Sequence, residues 1–205
     1  MKILYQILLL VFLLIITSCS ILSQLSNEEK GLLLEKNLSE WDEIRLDGVI
    51  TLNFEQYTFR KNFVIKKNNL SARIDVIDKG FWGLNLKPFF SAYIDSLLYL
   101  RLPNQTDIQI LEINNSNFLN FNNLLKDKNR IIRNYEIEKD EITYFFSKSF
   151  QVTQISNSTK QFSILLNYDQ LDKLTEINIE IKNKQVAHLE IDKLSHKNNK
   201  IKKLK

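Results

Sequence analysis

From Ile44 onward the chain alternates apolar and polar residues with period two, and no other feature constrains its fold as strongly. Leu46, Gly48, Ile50, Leu52 and Phe54 alternate with Arg45, Asp47, Thr51, Asn53 and Glu55, and Val49 is the one apolar residue on the polar side. Successive side chains of a strand point to opposite faces, so this pattern describes a strand with one dry and one wet face, the signature of antiparallel sheets. Phe59, Phe63 and Ile65 predict a second strand, and Leu70, Ala72, Ile74 and Val76 a third. Turns are expected near Gln56-Tyr57 and Lys67-Asn68-Asn69. Further strands are predicted over 92–102 and 108–113, then at roughly 131–138, 141–147, 149–155 and 161–168. The last pair sets Ile177, Ile179 and Ile181 on one strand and Ala187, Leu189 and Ile191 on the next.

Two segments keep a helical period instead. Ser26 and Glu29 have the spacing of a capping box, and Leu34, Leu38 and Trp41 recur at i, i+4 and i+7 behind it. Phe118, Phe121 and Leu125 predict a short amphipathic helix over 117–127. About ten sequential strands with two helices make a mainly β (α+β) fold. Its expected form is a curved antiparallel sheet forming a half-open barrel, with the N-terminal helix and the inserted short helix on the concave side. A polar outer face leaves the helices nowhere else to bury their stripes. With 2 Pro, 4 Gly and no Ser- or Gly-rich linker, residues 26–194 read as one domain.

The first residues are of another kind. Met1-Lys2 is followed by an almost wholly apolar run from Ile3 to Ile16, short of the ~20 residues a membrane span needs. Residues 1–18 are therefore expected to be a signal peptide. The run ends in Ile16-Thr17-Ser18-Cys19, which resembles the lipobox of bacterial lipoproteins. That resemblance implies lipidation of Cys19 and a membrane anchor through it. Residues 19–25 would then be a tether, and Ser20 to Leu25 reaches only about 20 Å when extended. Ser20, where an Asp would retain the chain elsewhere, implies a lipid anchor in the outer membrane on its periplasmic face. In a cell with one membrane the site would be the outer face of the plasma membrane. Cys19 is the single cysteine, so no disulfide supports the domain and the core alone must hold it.

The net charge of +4 misleads. Six lysines without an acid lie in 193–205 and Lys2 lies in the leader, which leaves the body from Cys19 to Asp192 at about −3. The basic tail, 195–205, reads either as a solubilising end or as an attraction to anionic lipid headgroups. Nucleic acid is not an expected partner, because the cluster is terminal and export removes it.

Chemistry is sparse. The two histidines, His188 and His196, fall on a polar strand side and in the tail. HExxH, CxxC, GxSxG and Gly-rich phosphate motifs do not occur. No enzyme activity, cofactor or metal is expected. Asp78 to Gly83 breaks the alternation with Gly80 and Gly83 around Phe81 and Trp82. This reads as a protruding loop with an exposed aromatic tip, or as a loop whose Trp82 folds inward beside Leu84 and Leu86.

Several of these segments together resemble the lipoprotein-localisation proteins LolA and LolB, and LolB more because it is itself a lipoprotein. The residues are a helix before the glycine-containing strand Leu46-Asp47-Gly48-Val49-Ile50, then Phe59 to Ile65, then Arg73-Ile74-Asp75-Val76. Phe81-Trp82-Gly83 follows where LolB has its loop, and Thr175 to Leu194 close the chain. The resemblance implies a half-barrel cavity that binds acyl chains or lipoprotein cargo, received from a periplasmic carrier, in localisation to the outer membrane. Candidate lining residues are Leu52, Phe54, Phe63, Ile65, Ile74, Leu98, Leu100, Ile164 and Leu166, which could equally fill a solid core. The other reading is a non-enzymatic structural or interaction lipoprotein of the cell envelope.

Overall fold

The computed structural model describes residues 25–54, 57–68, 71–78, 88–103, 105, 107–112, 120–196 and 201–204. Helix α1 (Asn27–Ser39) leads into β1 (Glu43–Phe54), β2 (Tyr57–Asn68), β3 (Ser71–Ile77), β4 (Pro88–Ile94), β5 (Leu97–Arg101) and β6 (Gln109–Glu112). A 3-10 helix (Phe121–Asp127) and helix α2 (Lys128–Asn134) follow. The chain ends in β7 (Glu136–Lys139), β8 (Ile142–Phe146), β9 (Val152–Asn157), β10 (Phe162–Tyr168), β11 (Leu174–Ile181) and β12 (Lys184–Ser195). All join one curved, unclosed 12-stranded antiparallel sheet in the order β6-β5-β4-β3-β2-β1-β12-β11-β10-β9-β8-β7.

The expected capping box opens α1. Glu29 N donates to Ser26 Oγ at 3.2 Å and Ser26 N donates to Glu29 Oε2 at 2.8 Å, which satisfies two donors that the first turn leaves free. Leu34 and Leu38 are fully buried. The helix stops before Trp41, yet Trp41 keeps its place in the core, its ring 5.4 Å from that of Phe121.

Registers show how the alternation becomes one inner face. Leu46 lies opposite Ile65 and Leu194, Ile65 opposite Ile74, and Ile74 opposite Ala92. Both helices and the 3-10 segment share the core with this face, through Leu34, Leu38, Phe121, Leu124, Ile131 and Ile132. Every core residue among the described residues lies within 31–204, so a chain starting at Ser20 contains all of the described elements.

Three local expectations are corrected. The sequence predicts a strand over 131–138, but Lys128–Asn134 is helical and β7 begins only at Glu136. Ile131 and Ile132 are β-branched neighbours that favour strands, but both are buried among helix and sheet side chains. Residues 92–102 are not one strand but β4 and β5, reversed at Asp95-Ser96, where Leu97 N donates to Asp95 Oδ1 at 2.9 Å. The tail is not simply a solubilising end. Ile201 and Leu204 return to the outer face against Tyr93, Tyr99, Leu97 and Ile108. Arg73 Nη1 donates to the Lys202 carbonyl at 2.6 Å, and Lys203 Nζ stands 4.1 Å from the centre of the Tyr99 ring.

With few glycines, the hairpins turn on other residues. Asp140 and Glu141 (φ 53 and 65) reverse β7 into β8, and Lys182 and Asn183 (φ 51 and 60) reverse β11 into β12. Two consecutive left-handed residues give the turn whose twist matches that of the strands. Among the described residues no helix is long and apolar enough to cross a membrane.

Candidate binding face

The inner face changes character from one end of the sheet to the other. At the end where β1 begins, it is covered. Ile44, Leu46, Ile50, Phe63, Leu166, Ile177 and Leu189 are all below a tenth exposed beneath the helices. Phe121 seals this end by standing between Trp41 and Tyr144, its ring 6.1 Å from the latter and edge-on at 79°.

Toward the opposite end, where the β1–β2, β9–β10 and β11–β12 turns gather, the same face emerges into solvent. Phe59 lies opposite Leu52, Leu52 opposite Ala187, Ala187 opposite Ile179, and Ile179 opposite Ile164. Pairing sets all five on one face, an apolar row crossing five strands. Leu52, Ile164 and Ile179 are half-buried, and Phe59 is 41 % exposed. One step further out, Tyr57 and Ile181 are 56 % and 45 % exposed. Clustered exposed apolar side chains at the open end of a half-barrel mark a place of contact.

The predicted lining residues fall on this inner face in two groups. Leu52 and Ile164 belong to the emerging row, and Leu166 lies buried below Ile164, opposite Ile177. Phe63, Ile65 and Ile74 continue across β2 and β3, where Phe63 is 1 % exposed and part of the core. Leu100 lies opposite Ala92 and Leu98 opposite Ile94, both half-buried. Phe54 ends β1 opposite Tyr57; its side chain lies outside the described residues, as do Cys19, Phe81 and Trp82.

Two lysines on the inner face were not anticipated, although their parity on β2 reveals them. Positions 59, 61, 63, 65 and 67 share a side, so Lys61 and Lys67 interrupt an apolar row. Lys61 sends its ammonium to the sheet margin, 2.8 Å from Asp78 Oδ1 and 5.3 Å from the centre of the Phe89 ring. Lys67 stays inside. Its residue is 5 % exposed, its Nζ donates to the Trp41 carbonyl at 2.5 Å, and the Phe121 ring centre lies 5.9 Å away. Burial pushes its pKa down to about 8, opposed by the carboxylate of Asp42.

The two histidines make local hydrogen bonds. His188 Nδ1 is 2.8 Å from Asn178 Oδ1, and His196 Nδ1 is 2.9 Å from the Glu40 carbonyl. Among the described residues no group of His, Cys, Asp and Glu could hold a metal ion. Tyr144 is pushed up to about 12 by burial, which keeps its phenol neutral. A hollow of about 200 Å³ opens beside Trp41, Ile44 and Leu174 at the covered end.

No family model matches the chain, and no curated protein matches it by sequence. Among solved structures it is similar to a LolA superfamily protein from Nitrosomonas europaea, at 10% identity over 82% of this chain and 94% of that one, with a TM-score of 0.46. A domain described as an outer membrane lipoprotein-sorting protein, from Vibrio parahaemolyticus, is similar at 6% identity, 86% and 95% coverage and a TM-score of 0.45. A DUF1329 family protein from Desulfovibrio piger is similar at 10% identity, 85% and 94% coverage and a TM-score of 0.40.

Proposed function

We propose that this chain is a membrane-anchored, non-enzymatic lipoprotein. In this reading its half-barrel binds acyl chains or lipidated cargo, received from a periplasmic carrier, in lipoprotein localisation to the outer membrane. The observation that carries the reading is the exposure gradient along the inner face, from the sealed Phe121 end to the open row of Phe59, Leu52, Ile179 and Ile164. An acyl chain laid along that row gains about 0.8 kcal/mol per methylene buried, so no special motif is needed. The row lacks fixed polar groups, which suits a chain recognised by its hydrophobicity alone. A protein-docking role without a small ligand is the alternative. Edge strand β6 favours it, with Ile110 and Leu111 59 % and 47 % exposed.

Mixing a fluorescent fatty acid with a chain beginning at Ser20 should raise its emission at micromolar protein. Phe59→Asp with Ile179→Asp should abolish the gain. Absence of binding by the unaltered chain would remove the acyl reading and leave the docking role. Lipidation is checked separately: a palmitate analogue should label the full chain in cells and leave Cys19→Ala unlabelled.

A further inference from the structure

On the outer face of the sheet, residues 201–204 are seated on a patch formed by β3, β4 and β5. Leu204 is buried with Tyr93 and Tyr99, whose rings pair across the β4–β5 register with centres 5.7 Å apart. Ile201, Leu97 and Ile108 pack on the same cluster. Lys203 Nζ is 3.3 Å from Asp95 Oδ2 and 4.1 Å from the centre of the Tyr99 ring. Arg73 Nη1 donates to the Lys202 carbonyl at 2.6 Å. These contacts use a main-chain carbonyl, an ammonium and two aliphatic side chains three residues apart, all of which an extended segment of another chain also carries.

The groups that meet the tail are held by contacts that do not involve it. Asp75 fixes the Arg73 guanidinium through hydrogen bonds of 2.8 and 2.9 Å, and accepts a third from the buried Ser91 Oγ at 2.7 Å. Strand pairing fixes Tyr93 and Tyr99. Arginine and tyrosine are common anchors of protein–protein contacts, and groups already in position cost less to engage. The patch also runs on past the tail. Ile110 lies opposite Tyr99 on the same face, two residues from Ile108, yet it is 59 % exposed. Bulk charge does not select the occupant, because Lys66, Arg73 and Arg101 balance Asp75, Asp95 and Glu112 on this face. Selection lies in the local Lys203–Asp95 contact and in the placing of the aliphatic side chains.

We propose that this outer-face patch docks an extended segment of a partner protein, with two aliphatic residues three apart, a lysine before the second, and a further apolar residue that covers Ile110. The chain's own residues 201–204 are then an internal competitor that holds the site until such a segment arrives. Four residues separate Ile201 from His196, whose Nδ1 is 2.9 Å from the Glu40 carbonyl. So short a tether keeps the tail at a roughly millimolar effective concentration. Weak contacts therefore suffice to seat it, and a longer segment that also buries Ile110 displaces it. The patch lies on the other face of the sheet from Phe59, Leu52, Ile179 and Ile164, so it does not depend on the acyl reading.

Fluorescence anisotropy with a labelled synthetic peptide of the sequence 196–205 tests this. In the chain beginning at Ser20, Ile201→Asp with Leu204→Asp should release the tail and let the peptide bind with a dissociation constant of about 10 μM. The unaltered chain should bind it roughly 100-fold more weakly, the ratio of a ~1 mM effective concentration to that constant. Adding Tyr99→Ala to the released chain should abolish binding, as should replacing the two aliphatic residues of the peptide by Asp. A peptide lengthened by one leucine, at one end or the other, should bind several-fold more tightly by covering Ile110. Equal binding by the released and unaltered chains, no binding by either, or equal binding of a scrambled peptide would overturn the proposal. Failure of both lengthened peptides to bind more tightly would also overturn it and leave the tail a structural clamp. Melting temperatures establish that the released chain is folded. If it is not, the unaltered chain decides: millimolar peptide should speed hydrogen exchange at 201–204, and unchanged rates would count against displacement. Tail-dependent dimers of the unaltered chain in sedimentation would assign the patch to a second copy and sink the partner reading.

Discussion

Gly48 lies so close to the carbonyl of Glu190 that a Cβ built on it would overlap that oxygen, and would also stand 3.1 Å from the Phe63 ring. The contact sits where the β1–β12 register shifts between Asp47 and Gly48. A bulge of this kind bends a strand and increases its twist, and here the bend brings the Glu190 backbone into the space a side chain would take.

Gly48→Ala should therefore be among the most damaging single-methyl additions in this chain. Backbone cannot move aside as a flexible side chain does, so the loss should be about 3 kcal/mol or more. Urea denaturation measures it, with Gly31→Ala as the control, because a Cβ there meets nothing closer than 3.5 Å. A cost below that of an ordinary surface change would mean that the β1–β12 seam adjusts freely.

Lys67 should make stability depend on alkaline pH. Its pKa is lowered on folding, so the unfolded chain holds the proton more tightly and stability rises with pH between about 8 and the ordinary lysine value. Below pH 8 the cost of the buried charge is fully present, on the order of 3 kcal/mol. Lys67→Met keeps the stem and removes the charge. The stability of the unaltered chain relative to this variant should climb from pH 7 to pH 10, and a flat difference would show that the ammonium is well solvated in place.

The docked tail offers a local test. Leu204 is 6 % exposed against Tyr93 and Tyr99, with Lys203 Nζ 3.3 Å from Asp95 Oδ2. Leu204→Ser removes about 2 kcal/mol of burial, which should raise trypsin cleavage at Lys202 and Lys203 by an order of magnitude with little change in global melting. Equal cleavage rates would mean that the tail is already released in solution.

Phe81 and Trp82 are proposed to tip a loop that contacts lipid or cargo. Phe81→Glu with Trp82→Glu should then impair fatty-acid or vesicle binding and shift the melting temperature little. A loss of several kcal/mol, typical of core aromatics, would place Trp82 inside beside Leu84 and Leu86.

Period-two alternation made the sheet legible because its central strands have one buried face: Leu46 and Ile50 on β1, Ile177 on β11, Leu189 on β12. The capping box at Ser26 and Glu29 marked the first helix by chemistry that only a helix start requires. Helix α2 was hidden, since Ile131-Ile132 reads as strand by propensity and its C-cap, Tyr135, takes a left-handed φ of 58° with no glycine to signal it. The nine lining candidates were found by parity, which fixes a face without fixing a depth. Phe63 and Leu166 are therefore core, whereas Leu52 and Ile164 reach the open row. The mouth itself was missed, because exposure of Phe59 and Ile181 depends on where the helices end, and no local pattern encodes that.

The strand order also sets how the chain must assemble. Every pairing in the sheet joins neighbours in sequence except one, β1 with β12. Two meanders, β1 to β6 and β7 to β12, can each form from short-range hairpins, which close quickly. The pairing that unites them brings Leu46 to Leu194 and Leu52 to Ala187, across nearly the whole domain. Its loop-closure entropy is the largest in the fold, so the folding rate is governed by this one zipper. A nascent chain holds its first meander with an unpaired β1 edge until β12 has been made.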